Sequence, residues 1–276
     1  MLSESQGRLR STLAPLSYRW RSKHALPICG AALLPLFAAN VLGSQLVPAE
    51  AIEKNDVAAV TKAIREGAEV NAFYETGTSL TALIKAADTD SADVAKLLLD
   101  NKADVNLRDR WGSTALMHAA RHNSATVAAL LLQRGADVEA ADKAGLTALM
   151  FASEAGAYEA AKLLIDHGAK VNGKRDNSGM SPLIRAVKGR SLKVAQLLVE
   201  NKADVNAGLD STDKYSGTTP LMYAAGYKSL PIVRLLVEHG ADVNFHNKSG
   251  ESAISVAEKT EMNREVIAFL KEHGAL

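Results

Sequence analysis

Beyond residue 49 the chain has no cysteine. Its single thiol is Cys29, so the rest of the chain can hold neither a disulfide, nor a cysteine-ligated zinc or iron–sulfur site, nor a thiol nucleophile. Redox compartment stays open, because a cysteine-free segment suits an oxidising space and the cytosol equally. No G-x-x-x-x-G-K-[ST], G-x-S-x-G or G-x-G-x-x-G string occurs, which removes the usual signals for a phosphate-cradling loop, a nucleophile elbow and a dinucleotide turn. An excess of one charge is also missing. The formal net charge is +1, yet residues 1–49 hold Arg8, Arg10, Arg19, Arg21 and Lys23 against Glu4, a net of +4, which leaves −3 for the remainder. A phosphate backbone needs a net basic face, so this balance argues against nucleic acid as the main ligand. Aromatic residues make up only 5% of the chain. Any place where they gather is therefore informative.

Long apolar runs are absent except for one. Residues 25–42, ALPICGAALLPLFAANVL, follow the basic stretch RLRSTLAPLSYRWRSKH, and positive-then-apolar is the order of an export signal. Val47-Pro48-Ala49 places small residues where a signal peptidase reads, so a cut after Ala49 is expected, with Val41-Leu42-Gly43 as a weaker alternative. An uncleaved anchor over residues 25–42 is the rival reading, because 18 apolar residues just span a bilayer; Pro27 and Pro35 weaken a continuous helix there. The Arg-rich, acid-poor start also resembles an organelle transit peptide, which the long apolar run fits poorly. Cys29 is a poor lipoprotein site, since bulky Ile28 precedes it. The basic leader is long for a bacterial signal, which leaves a start downstream of Met1 open. Export to the periplasm or beyond is the expectation, with membrane anchoring as its alternative.

Aligned on itself, the chain gives TALIKAA at 81, TALMHAA at 114, TALMFAS at 147, SPLIRAV at 181, TPLMYAA at 219 and SAISVAE at 252. In phase with it run GAEVN at 67, KADVN at 102, GADVE at 135, GAKVN at 168, KADVN at 202, GADVN at 240 and a final GAL at 274. The opening Ser or Thr of each signature suits a helix N-cap, followed by Pro182 or Pro220 at the first helical position in two units. Small alanines come next. A second apolar ridge follows, such as Val127, Leu130, Leu131 and Leu132, which no single unit can bury, so units must stack. Gly67, Gly135, Gly168 and Gly240 then sit where a left-handed residue ends the second helix; Lys102 and Lys202 replace glycine at about 1 kcal/mol each if that geometry is kept.

A period of about 33 residues with both signatures resembles the ankyrin repeat, over roughly residues 48–276. The resemblance implies an all-α solenoid of about seven helix-turn-helix units with β-turn fingers, in an ankyrin domain over 50–276 after a signal peptide or anchor over 1–49. The units run at about 48–72, 78–106, 111–139, 144–172, 178–206, 216–244 and 249–276, the first and last serving as caps. Ankyrin units commonly carry histidine four residues into the signature; here Ile84, Met117, Met150, Ile184, Met222 and Ser255 stand there, so packing is expected to replace a hydrogen-bond network.

His118 and His122, one helical turn apart, match half of a zinc-binding helix, but the protease version needs Glu where Ala119 stands. His167, His239 and His273 fall instead beside terminal turns, where a ring nitrogen can serve backbone carbonyls. Asp104, Asp137, Asp204 and Asp242 recur at equivalent turns, where a short carboxylate bonds nearby amides. No catalytic residue, metal ligand or cofactor is expected, and a metal-dependent factor using His118 and His122 is an unfavoured alternative, as is a membrane-tethered spacer. The resemblance implies instead a monomeric module that meets another protein with its fingers and the open side of its first helices. By position that surface holds Arg110, Trp111, His118, Arg121, His122, Phe151, Arg185, Tyr215, Tyr223 and Tyr227, with Tyr74 on the same side. Trp, Tyr and Arg dominate protein hot spots because they bury large areas with few torsions. Trp111, at a finger tip, is the expected anchor.

Overall fold

The computed structural model describes residues 46–74, 79–260 and 263–276. The basic leader, Cys29 and the apolar run 25–42 lie outside them, as do residues 75–78 between the first and second units. The described residues hold fourteen helices in seven consecutive pairs: α1 (Ala49–Glu53) and α2 (Val57–Arg65), α3 (Ala82–Asp88) and α4 (Ala92–Asp100), α5 (Ala115–His122) and α6 (Ala125–Gln133), α7 (Ala148–Ala155) and α8 (Tyr158–Asp166), α9 (Pro182–Lys188) and α10 (Leu192–Glu200), α11 (Pro220–Gly226) and α12 (Leu230–Glu238), and α13 (Ala253–Glu258) and α14 (Arg264–Glu272). Extended structure among these residues is confined to isolated bridges, three of which close fingers: Phe73 with Thr81, Arg108 with Thr114, and Ala141 with Thr147.

The first helices after α1 form where the sequence offers a Ser or Thr cap; α1 itself starts behind Pro48 without a side-chain cap. The side-chain oxygens of Thr81, Thr147, Ser181, Thr219 and Ser252 accept the backbone N–H three residues on, at 3.3–3.4 Å, which satisfies a donor that the helix leaves open. Pro182 and Pro220 take the first helical position. The alanines behind the caps let backbones approach, and first helix packs on first helix along the stack, α3 on α5, α5 on α7 and α7 on α9. Ala86, Ala119, Ala120, Ala152, Ala186, Ala224 and Ala225 are all 0% exposed. Ile84, Met117, Met150, Ile184 and Met222 are at most 1% exposed, so apolar packing does fill the place where the family often puts histidine. Met suits such irregular gaps.

The second helices end as their sequences require. Lys102 and Lys202 hold φ of 66° and 67°, beside +83° at Gly135 and +90° at Gly168, so the two lysines keep the left-handed turn despite its steric cost. Just before it, the Nδ1 atoms of His167, His239 and His273 donate to the carbonyls of Leu163, Leu235 and Phe269 at 2.8–2.9 Å. Asn101 and Asn201 serve Leu97 and Leu197 in the same way, both at 2.9 Å. Orphan carbonyls at helix ends are thereby covered.

Neighbouring units are also braced by one recurring side chain. The carboxamide oxygens of Asn71, Asn106, Asn172, Asn206 and Asn244 accept the N–H of Asp104, Asp137, Asp204, Asp242 and Leu276 at 2.8–3.0 Å. Their nitrogens donate to the carbonyls of Lys102, Gly135, Lys202, Gly240 and Gly274 at 2.7–3.3 Å. Each asparagine thus grips the turn of the following unit at two points. Glu139 takes this position once, and accepts the Lys170 N–H at 2.9 Å. A carboxylate has no N–H to give in return; Lys174 instead donates to the Glu139 carbonyl at 2.6 Å.

The repeat domain starts earlier than the boundary expected between residues 49 and 50. Leu46 bridges Glu69, Val47 is 1% exposed, and the Val47 carbonyl accepts the Tyr74 hydroxyl at 2.5 Å. Burial pushes that hydroxyl up to about 12. A cut after Ala49 would strip this core residue and leave the Tyr74 oxygen without its acceptor. We therefore expect a chain beginning at Glu50 to be about 2 kcal/mol less stable than one beginning at Ser44, from one buried valine and one buried hydrogen bond. Urea unfolding of the two chains measures the difference, and equal midpoints would refute the assignment of residues 46–49 to the domain.

Candidate protein-binding surface

Each of four fingers is built by an Asp or Asn side chain that caps it from within. One Asp109 oxygen accepts the N–H groups of Trp111 and Ser113, both at 2.8 Å. Asp142 holds Ala144 and Leu146 at 2.8 and 2.9 Å, Asp176 holds Ser178 and Met180 at 2.7 and 3.1 Å, and Asn247 holds Ser249 and Glu251 at 3.0 and 2.9 Å. Successive tips join through backbone bonds, Lys143 N–H to the Trp111 carbonyl at 2.9 Å, Asn177 to Ala144 at 2.8 Å and Asp210 to Gly179 at 3.1 Å. The tips are therefore fixed relative to one another, and a side chain carried there is presented by rigid backbone.

Trp111 is 39% exposed and Tyr215 40%. The Arg110 guanidinium lies 4.7 Å from the Trp111 ring centroid and the Lys214 ammonium 5.1 Å from that of Tyr215, so each aromatic tip carries a cation on its face. Phe73 and Phe245 are also exposed, at 43% and 39%, but lie at the bases of their fingers, Phe73 in the bridge with Thr81 and Phe245 two residues before the capping Asn247. Tyr74, by contrast, is turned into the core by its bond to Val47.

On the first helices of the pairs, called inner helices from here on with the second helices as outer ones, the expected residues divide into exposed and covered ones. Arg121 and His122 are exposed, and the Arg121 guanidinium stacks 4.4 Å from the Phe151 ring centroid. Phe151 itself is only 8% exposed, because the next inner helix packs beside it and Arg121 covers its face. Tyr223 and Tyr227 are half-buried, stacked at 6.3 Å, with Arg190 lying 5.4 Å from Tyr227. Burial pushes the Tyr223 hydroxyl up to about 12, so both remain neutral hydrogen-bonding groups at physiological pH.

His118 and Arg185 fill equivalent positions and are clamped in equivalent ways. His118 Nδ1 lies 2.7 Å from Asp88 and Nε2 3.0 Å from Asp109. Burial opposes its charge, but the hydrogen bonds to Asp109 and Asp88 and their charges outweigh it, and the imidazole is pushed up to about 9. His122 Nε2 reaches Asp88 at 3.3 Å. His118 and His122 thus share Asp88, and among the described residues no group of three or more His, Cys, Asp or Glu side chains is arranged to hold a metal ion; the arrangement around His118 is an ion-pair cluster. Arg185, 8% exposed, donates through Nε to Asp176 at 2.7 Å and through Nη1 to Glu154 at 2.6 Å, with Nη2 also on Asp176. In both units the cap of the finger is tied by charge to its own inner helix and to the helix before. These residues offer little free surface.

A family model described as ankyrin repeats (3 copies) matches residues 49–142, 139–209 and 206–276. The chain belongs to the ankyrin repeat family. Among solved structures it is similar to the ankyrin repeat domain of Bcl-3, a member of the IkappaB protein family, at 34% identity and a TM-score of 0.67, covering 81% of this chain and 96% of that one. It shares its fold with the human ASB11 ankyrin repeat domain, at 24% identity and a TM-score of 0.69, covering 80% and 96%. The Neurogenic locus Notch protein of Drosophila melanogaster is 36% identical over 110 residues, which are 38% of this chain and 4% of that protein. Ankyrin repeats are generally protein–protein interaction modules.

Proposed function

We propose that the chain is a non-catalytic, monomeric module that binds a partner protein with the fingers and inner helices of units two to six. The observation that carries this reading is Trp111, 39% exposed on a finger tip whose backbone is pinned by Asp109 and Lys143. A large aromatic side chain held rigidly at the surface loses little freedom on binding, which is what makes tryptophan an anchor. Arg110, Arg121, His122, Tyr215 and Tyr227 supply further contact area, while His118, Phe151 and Arg185 shape the surface from beneath. A catalytic role finds no support, since the carboxylates that cluster here cap fingers or pair with cations.

Trp111→Ala is expected to weaken capture of the partner by about 2 kcal/mol or more while leaving the melting temperature nearly unchanged. Affinity capture from the native compartment with wild-type and variant bait checks this. Recovery of the same partner in equal yield would place the anchor elsewhere.

Export is part of the proposal, supported by the order of basic and apolar residues in the leader. Among the described residues no helix is long and apolar enough to cross a membrane, so anchoring would fall to residues 25–42. Fractionation with N-terminal sequencing of the mature chain tests it: a retained Met1 in the membrane fraction would favour the anchor.

A further inference from the structure

Charge is divided between the two helix layers of the solenoid. The inner helices α3, α5, α7, α9 and α11 carry the Lys and Arg side chains Lys85, Arg121, Arg185 and Lys188 and the histidines His118 and His122, against two carboxylates, Asp88 and Glu154. The outer helices α4, α6, α8, α10 and α12 reverse the balance, with four basic side chains against six carboxylates. Both inner carboxylates are already engaged. Asp88 lies 2.7 Å from His118 and 3.3 Å from His122, and Glu154 lies 2.6 Å from Arg185 and 3.3 Å from Lys188. Asp109 and Asp176 are buried and paired with His118 and Arg185.

Lys85 is held in the same way by Glu53 at 2.5 Å, so the exposed cations outside these ion pairs decide what the surface attracts. Arg121 lies on the Phe151 ring, Arg190 on the Tyr227 ring, and Lys143 donates to the Arg110 carbonyl at 2.7 Å. All three are exposed, and none stands in an ion pair among the described residues, although the charge of Arg121 acts on Asp88 from farther off. Stacking on a ring occupies the face of a guanidinium and leaves its edge donors for a carboxylate in the same plane. Trp111, whose carbonyl accepts the Lys143 N–H at 2.9 Å, sets an exposed aromatic ring beside this patch.

We propose that the inner surface from α3 to the turn after α9 docks an acidic polypeptide segment, its carboxylates meeting Arg121, Lys143 and Arg190 and an apolar side chain covering Trp111. This rests on the reading of the chain as a protein-binding module and adds the chemistry of the partner. A short acidic segment suits the site better than a nucleic acid, because the acid-rich outer layer repels a polyanion long enough to leave the inner face.

The test uses the full chain and a fluorescein-labelled peptide of repeated Glu-Asp-Ser with one central Phe, read by anisotropy at low salt. A control peptide has Lys at every acidic position, and a second control is an oligothymidylate. The acidic peptide is expected to bind at least about tenfold tighter than either control, and added salt should weaken it. Arg121→Glu combined with Lys143→Glu should weaken it at least about tenfold, and Lys193→Glu on α10 by no more than about twofold. The basic residues of segment 1–49 are common to every variant, so the comparison reads the inner face alone; unchanged melting temperatures exclude misfolding. Equal binding of the peptides, equal losses in the two variants, or oligothymidylate binding as tight as the acidic peptide would overturn the proposal. If the peptide fails while Trp111→Ala still loses the captured partner, only the acidic partner is refuted. If Trp111→Ala also keeps its partner, the binding surface is refuted with it.

Discussion

Arg185→Ala is expected to lower stability by about 3–5 kcal/mol, the loss that follows removal of one partner from a buried ion pair. The Asp176 side chain is 1% exposed. One of its oxygens is spent on the finger N–H groups of Ser178 and Met180, and the other faces only Arg185. Without the guanidinium, a carboxylate stays buried with half its hydrogen bonds gone, and Glu154 loses its neighbour as well. The chain itself indicates the cure. In the last finger Asn247 performs the same capping without a charge, so Asp176→Asn combined with Arg185→Met should recover most of the loss. Urea midpoints of wild type, single and double variants decide it, and a single variant within about 1 kcal/mol of wild type would contradict the account.

Stability is expected to fall by about 3 kcal/mol as pH rises from 6.5 to 9 through the loss of one proton. His118 titrates near its ordinary 6.5 when unfolded and at about 9 when folded. The folded state therefore holds the proton more tightly, and its contribution is complete below 6.5 and disappears as pH passes 9. The gap between the two values corresponds to about 3 kcal/mol, and the side chain is only 12% exposed, so solvent screens it little. His118→Gln keeps a donor toward the carboxylates but has nothing to titrate. The wild-type urea midpoint should decline across this range relative to that of the variant; parallel profiles would show that His118 is not charged in the folded protein.

The stack was legible because its determinants are local. A cap, a run of alanines and a left-handed turn each follow from a few adjacent residues, and their recurrence in phase tied them into one architecture. The surface was legible only by position. Placing Phe151 on the open side of its helix was reasonable, yet its burial depends on Arg121 from the preceding unit. Asp109 with His118 and Asp176 with Arg185 are each nine residues apart across a finger, a spacing that no helical or strand rule singles out. Tyr74 is hidden from a reading by position for a related reason: its acceptor, the Val47 carbonyl, lies 27 residues away, before the first repeat helix.

The asparagine braces point one way. Each reaches from its own unit to the turn of the next, and none of the five holds the turn of the unit before it. Removing a unit would therefore leave its successor's turn unsupported, while its predecessor would lose only a side chain's grip and expose it to water. On a ribosome the chain emerges N-terminus first, so every brace is made before the turn that needs it. The polarity of the stack matches the order of its birth.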